Sequence, residues 1–178
     1  ATFMPKPLES VQGSGMHVHL SLFDGDENAF YSPDDVYNLS PVAKQFMAGL
    51  LRHAAEITAI TNQTVNSYKR LVPGFEAPVH VSWARNNRSG LVRVPIAKRG
   101  NSSATRIEFR SPDPACNPYL AFAVMLAAGM RGITEGYELP PEADSNLFEM
   151  SDAELAKLGI DLVPQSLSDA LKVMEQST

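Results

Sequence analysis

Residues 105–133 read TRIEFRSPDPACNPYLAFAVMLAAGMRGI, and this stretch decides the fold class. Its first six residues alternate: Arg106, Glu108 and Arg110 fall on one face, Ile107 and Phe109 on the other. That is the period of a strand with one buried side. Asn117-Pro118 then supplies an N-cap and a proline at the first helical position. The helix it opens runs to about Ile133 and is apolar nearly all round, so a core position is expected for it. Strands mixed with long helices, without βα alternation, predict an α+β fold with a mainly antiparallel sheet packed with helices.

Upstream, residues 16–23 alternate like a half-buried strand, with His17, His19 and Ser21 sharing one face. Asp24-Gly25-Asp26 is a turn signal. Ser40-Pro41 opens a helix whose apolar stripe (Val42, Phe46, Met47, Leu50, Leu51, Ala54, Ile57) predicts one element ending near Asn62. Residues 61–78, with Pro73-Gly74 at their middle, read as a loop able to move. Residues 79–83 and 91–96 read as strands joined by a polar connection. Residues 135–161 carry eight acids against one base, Lys157, and include the capping-box pattern Ser151-Asp152-Ala153-Glu154. Ser166 starts a last short helix.

Charge is unevenly placed. The chain of 178 residues has a formal net charge of −5. Yet residues 69–110 hold nine of its 15 basic residues and only two acids, Glu76 and Glu108, a local charge of +7. Arginine forks suit carboxylate and phosphate, so this segment predicts a site for a small anionic ligand. The acidic balance argues against general nucleic-acid binding. No apolar run is long enough to suggest a membrane span, and the cytoplasm is the expected compartment. The single cysteine, Cys116, excludes an internal disulfide or a cysteine zinc site and reads as a small packing residue. The length fits one domain, and both ends read as cuts within a longer chain.

Three groupings carry chemistry. His17 and His19 on one strand face, with a carboxylate, form a donor set for Mg²⁺ or Mn²⁺; the pair alone equally fits a surface strand. Glu108 between Arg106 and Arg110 reads either as a salt-bridge ladder or as a metal carboxylate flanked by anion-holding arginines. Lys69-Arg70 before Pro73-Gly74 and Glu76 fits a lid, with Arg70 as a carboxylate clamp and Glu76 as base or electrostatic partner, or else a plain surface loop. Arg88 and Arg93 add cationic donors of the kind a polyphosphate needs. No P-loop or dinucleotide-binding glycine pattern is present.

The segments FMPKP (3–7), GSGMHVHLSL (13–22), NSYKRLVPGFEAP (66–78), ARNNRSGLVRVP (84–95) and RIEFRSPDPACNPYLAFAVMLAAGMRGI (106–133) together resemble glutamine synthetase, nearest the bacterial and archaeal type I enzymes. The resemblance covers most of residues 1–136, the C-terminal portion of that family's catalytic domain. Residues 137–178 are then an acidic helical extension of the same domain, with the family's N-terminal β-grasp domain absent. It implies that His17 and Glu108 bind a divalent metal, Mg²⁺ or Mn²⁺. Gly13, Arg70 and Arg110 would hold glutamate. His19, Arg88, Arg93 and Arg106 would face ATP, with Arg88 and Glu76 catalytic. The implied reaction phosphorylates the γ-carboxylate of glutamate with ATP, and ammonia from ammonium then displaces phosphate.

A γ-glutamyl–amine ligase using an organic amine, and a non-catalytic structural relative, are the competing readings. The resemblance also implies a homo-oligomer, a dodecamer for a full-length protein. This chain alone is expected to be an inactive monomer or small oligomer, because further metal ligands and a neighbouring subunit's aspartate are missing. Gln12 stands where many relatives have asparagine, beside the glutamate site. Phe148 stands where some relatives carry an adenylylated tyrosine, so no such modification is expected there.

Overall fold

The structure is a computed structural model that describes residues 1–73, 77–85, 89–96, 102–144 and 147–177. Its main sheet has four strands in the order β1-β6-β5-β4. These are β1 (Val18–Leu20), β4 (His80–Ala84), β5 (Gly90–Arg93) and β6 (Ile107–Phe109); β2 (Phe23–Asp24) and β3 (Glu27–Asn28) form a separate hairpin. Among the described residues there are six α-helices: α1 (Pro41–Arg52), α2 (Ala54–Thr61), α3 (Ser67–Arg70), α4 (Pro118–Thr134), α5 (Asp152–Lys157) and α6 (Leu167–Glu175). The architecture is α+β, as the patterning predicts.

β6 is the pivot. It pairs antiparallel with β1 on one side and with β5 on the other. Ile107 and Phe109 are fully buried on the core side, beside Leu91, Val92 and Met125. Burying each such side chain contributes about 1.5–3 kcal/mol. β4 and β5, in contrast, run parallel, a departure from an all-antiparallel sheet. Parallel neighbours ordinarily need a long crossover. Here the six steps from Ala84 to Gly90 reach about 20 Å when extended, enough to cover the roughly 13 Å back to the start of a five-residue strand.

The caps form where the residue types place them. Ser40 Oγ accepts from Ala43 N at 3.1 Å, and Asn117 Oδ1 accepts from Tyr119 N at 3.0 Å. Glu154 reaches back to Ser151 N at 2.8 Å, and Ser166 Oγ accepts from Asp169 N at 3.1 Å. α1 and α4 cross closely at Gly49 and Gly132: a Cβ on Gly49 would lie 2.2 Å from Ala128 O, and one on Gly132 would lie 2.2 Å from Gln45 O.

Four expectations need correction. The strand expected over residues 16–23 is only three residues long, because its partner β6 is equally short and the chain then enters the β2–β3 hairpin. The helix expected from Pro41 to Asn62 is broken at His53 (φ −98°, ψ 8°), whose ring contacts Glu56 at 3.0 Å and lies 6.0 Å from the Tyr137 ring. The stretch read as a loop contains α3, which places Arg70. α4 is not wholly in the core: Ala121, Met125 and Ala128 are buried, but Tyr119 is 85% exposed and Phe122, Leu126 and Met130 are also open. It packs on α1 and α2 along one side only.

The acidic C-terminal stretch lies against the sheet. Val81 N donates to Asp161 O at 2.8 Å and Val163 N to Val79 O at 2.9 Å, which covers the outer edge of β4. Ala143 N donates to Trp83 O at 2.9 Å, and the Trp83 indole donates to Pro140 O at 2.7 Å. Phe148 sits edge-on to the His80 ring, 5.6 Å away. No helix among the described residues is long and apolar enough to cross a membrane.

Candidate active site

The face of the sheet opposite the core carries the charges. Register makes His19, Glu108 and Arg93 lateral neighbours in one row across β1, β6 and β5, where side chains on one face meet. Glu108 is only 2% exposed, and a buried carboxylate is costly unless partnered. Its partners are His17 Nδ1, 2.8 Å from Oε1, and Arg93 Nε, 2.5 Å from Oε2. The Arg93 contact is an ion pair without hydrogen-bond geometry, so Oε2 makes no hydrogen bond.

His17 is held on the neutral side. Burial lowers its pKa most, and Arg110 and Arg70 add to the shift against the opposing pull of Glu108. A neutral imidazole that donates Nδ1–H to the carboxylate keeps the Nε2 lone pair for a cation. This imidazole nitrogen and the Glu108 carboxylate, whose Oε2 is ion-paired with Arg93, together fit part of a divalent-metal coordination sphere. No cluster of three or more His, Cys, Asp or Glu donors occurs among the described residues, so the sphere would need ligands from elsewhere.

Beside this pair is a cavity of about 210 Å³ lined by Gln12, Gly13, Gly15, His17, Arg70, Ala77 and Arg110. A hollow of about 640 Å³ exists near Lys6 and Lys69, but it lacks the convergence of arginines and histidine. Arg70 and Arg110 are both 4% exposed. Arg70 Nη1 donates to Ser111 O at 2.6 Å and Pro112 O at 3.3 Å, and Nη2 donates to Arg110 O at 3.1 Å. A guanidinium has five N–H groups, so these bonds leave two for a ligand. Burial, with repulsion from Arg110, lowers the Arg70 pKa to about 10, and it stays charged at neutral pH. Gly15 leaves the guanidinium its space, since a Cβ there would lie 2.4 Å from Arg70 Nη2. Arg110 Nη1 donates to Gly90 O at 3.2 Å.

At the other end of the charged face the arginines are looser. Arg93 is 32% exposed. Arg106 Nε donates to His19 Nδ1 at 3.2 Å on the surface, and its Nη1 donates to Ala104 O at 3.1 Å.

The fold thus brings together Gly13, His17, His19, Arg70, Arg93, Arg106, Glu108 and Arg110. Glu76 and Arg88 lie outside the described residues. Two residues that sequence reasoning did not single out, Asn62 and Asp113, lie directly behind Arg70. The only signal for Asp113 is its place between two prolines.

The family model described as glutamine synthetase, catalytic domain, matches residues 1–178. A glutamine synthetase of Mycolicibacterium smegmatis is 56% identical over 177 residues, covering 99% of this chain and 40% of the relative. One of Thermotoga maritima is 52% identical over 176 residues, covering 99% of this chain and 39% of the relative. A solved structure described as "Apo GmaS without ligand" superposes with a TM-score of 0.82 at 38% identity, covering 98% of this chain and 38% of that one. The chain spans about two fifths of the length of these relatives. By sequence along its whole length, and by a fold that gathers the charged residues on one face, the chain belongs to the glutamine synthetase family.

Proposed function

We propose that the polypeptide carrying this chain joins ammonia to the γ-carboxylate of glutamate at the expense of ATP. The observation that carries this reading is buried Glu108, held between His17 and Arg93, with His17 lining a cavity walled by Arg70 and Arg110. Two buried arginines beside a small cavity suit a dicarboxylic amino acid, bound through its carboxylates. Gly13 lets the loop lie close to it. His19, Arg88, Arg93 and Arg106 face the phosphates, where negative charge builds up and passes to the leaving group.

The γ-carboxylate oxygen attacks the terminal phosphorus of ATP, the bond to ADP breaks, and γ-glutamyl phosphate forms. Ammonia then attacks the acyl carbon, the C–O bond breaks, and phosphate leaves with its electrons and with the proton that the attacking nitrogen sheds. Glu76 takes the proton that ammonium must lose. A divalent cation, Mg²⁺ or Mn²⁺, held by His17 and Glu108 together with ligands outside this chain, would neutralise phosphate charge when bound. The working assembly is a homo-oligomer, a cytoplasmic dodecamer by analogy with the family, and the isolated chain is inactive.

Phosphate release from ATP plus glutamate, measured on the full-length polypeptide with ammonium and a panel of organic amines, tests this. Release with ammonium alone supports the reading. Release only with an organic amine makes the protein a γ-glutamyl–amine ligase, and silence with every amine sinks the catalytic reading.

A further inference from the structure

We propose that Asp113 and Asn62 form a buried positioning pair that presets Arg70 for the substrate carboxylate. This rests on the glutamate-site reading above, and it assigns a role to a buried charge that the proposed reaction does not use.

Asp113 and Asn62 are both fully buried. Asn62 Nδ2 donates to Asp113 Oδ2 at 3.1 Å and to Ser111 O at 2.9 Å. Ser111 O is the same carbonyl that accepts Arg70 Nη1 at 2.6 Å. The other carboxylate oxygen of Asp113 accepts from Ala115 N at 3.0 Å, and Thr61 Oγ1 donates to Asn62 Oδ1 at 2.9 Å. Every polar group of the two side chains that faces this network is thereby used, the condition under which a buried network rigidifies its surroundings. Asp113 N also donates to Thr61 O at 3.3 Å. The end of α2 is therefore stitched to the turn after β6, and Arg70 is clipped onto that turn.

Charge gives the arrangement its second purpose. Arg70 and Arg110 lie side by side, buried, and repel each other. A substrate anion offsets that repulsion only once it is bound. Asp113 acts as the resident counter-charge in the empty site: its field favours the charged form of Arg70. It does so without occupying the ligand edge of the guanidinium, because among the described residues it makes no salt bridge within 4.0 Å. A carboxylate in direct contact with Arg70 would compete with substrate. One set back behind a carbonyl and an amide does not. Asp113 and Asn62 are positioning residues, acting through Arg70.

Asp113→Asn keeps the shape, removes the charge and sets its new NH₂ against one of the two donors it faces, Asn62 Nδ2 or the Ala115 N–H. In the full-length polypeptide it should raise the KM for glutamate tenfold or more, with kcat and the KM for ATP within about twofold. Asn62→Ala, which keeps the carboxylate, should shift the glutamate KM in the same direction by a smaller factor and covers the case in which Asp113→Asn does not fold. An unchanged glutamate KM in folded variants overturns the proposal, as does a parallel loss in kcat and both KM values that tracks a fall in Tm. Should the wild type show no glutamate-dependent phosphate release, the proposed function fails separately. Crystal structures of wild type and Asp113→Asn then decide the positioning: displacement of Arg70 Nη1 from Ser111 O supports it, and an unmoved guanidinium overturns it.

Discussion

The two ends of the charged face hold their arginines in different ways. Arg70 and Arg110 are buried, and both donate to backbone carbonyls, fixed points of the fold. Arg93 and Arg106 are partly open, and their partners include the side chains of Glu108 and His19 rather than backbone carbonyls alone. A backbone anchor fixes where a charge sits before any ligand arrives, and this is the costly way to keep an arginine inside a protein. A side-chain anchor lets the charge follow its ligand. The difference matches the chemistry proposed for each end: an amino acid keeps its carboxylate in place throughout, whereas a transferred phosphoryl group moves along with its charge.

The largest expected effect lies where the two ends meet. Glu108→Gln removes the charge that His17 and Arg93 share, and turnover of the full-length protein should fall about 10²–10³-fold. Steady-state phosphate release measures it, and a loss below tenfold would mean that the two ends act without Glu108. Next is Arg70→Lys. One ammonium cannot serve the carbonyls of Arg110, Ser111 and Pro112 and a ligand together, so stability should fall by about 1–3 kcal/mol and the glutamate KM should rise; denaturant titration and kinetics report the two losses separately. A milder probe is Gly15→Ala, whose Cβ presses on Arg70 Nη2. It should raise the glutamate KM several-fold and leave the ATP KM alone.

At the looser end, Arg106→Ala should change stability by no more than about 0.5 kcal/mol, as for an exposed side chain, while weakening ATP binding. Equal stability losses at Arg70 and Arg106 would erase the contrast between the ends. The smallest effect is a control remote from both. His80 is buried, and burial lowers its pKa. The unfolded chain therefore takes up a proton near pH 6.5 that the folded chain refuses. This contribution to stability is present above about pH 6.5 and is lost as pH falls below it. Melting curves between pH 7.5 and 5.5 should be flatter for His80→Gln than for wild type.

Much of this was legible from local signals. The alternation of Arg106, Ile107, Glu108, Phe109 and Arg110 assigned faces correctly, because a strand turns each successive side chain to the opposite side. The caps at Ser40, Asn117, Ser151 and Ser166 began helices as expected, since they satisfy donors that any helix start leaves open. Other features were not local. Nothing near His53 resembles a helix breaker; the break goes with contacts to Glu56 and to Tyr137, which is remote in sequence. The apolar sequence of α4 does not say how much of its surface finds a neighbour in this chain, and Tyr119, Phe122, Leu126 and Met130 find little.

By itself the sequence determined the fold class, most element starts, the segregation of basic residues into one segment and the family. Each of these depends on residue type and spacing along the chain. Only the tertiary structure decided that β4 and β5 run parallel, that Glu108 sits between His17 and Arg93, and that Asn62 and Asp113 stand behind Arg70. Those relations join residues tens of positions apart, and their energies exist only once burial has removed the water that would otherwise satisfy each group alone.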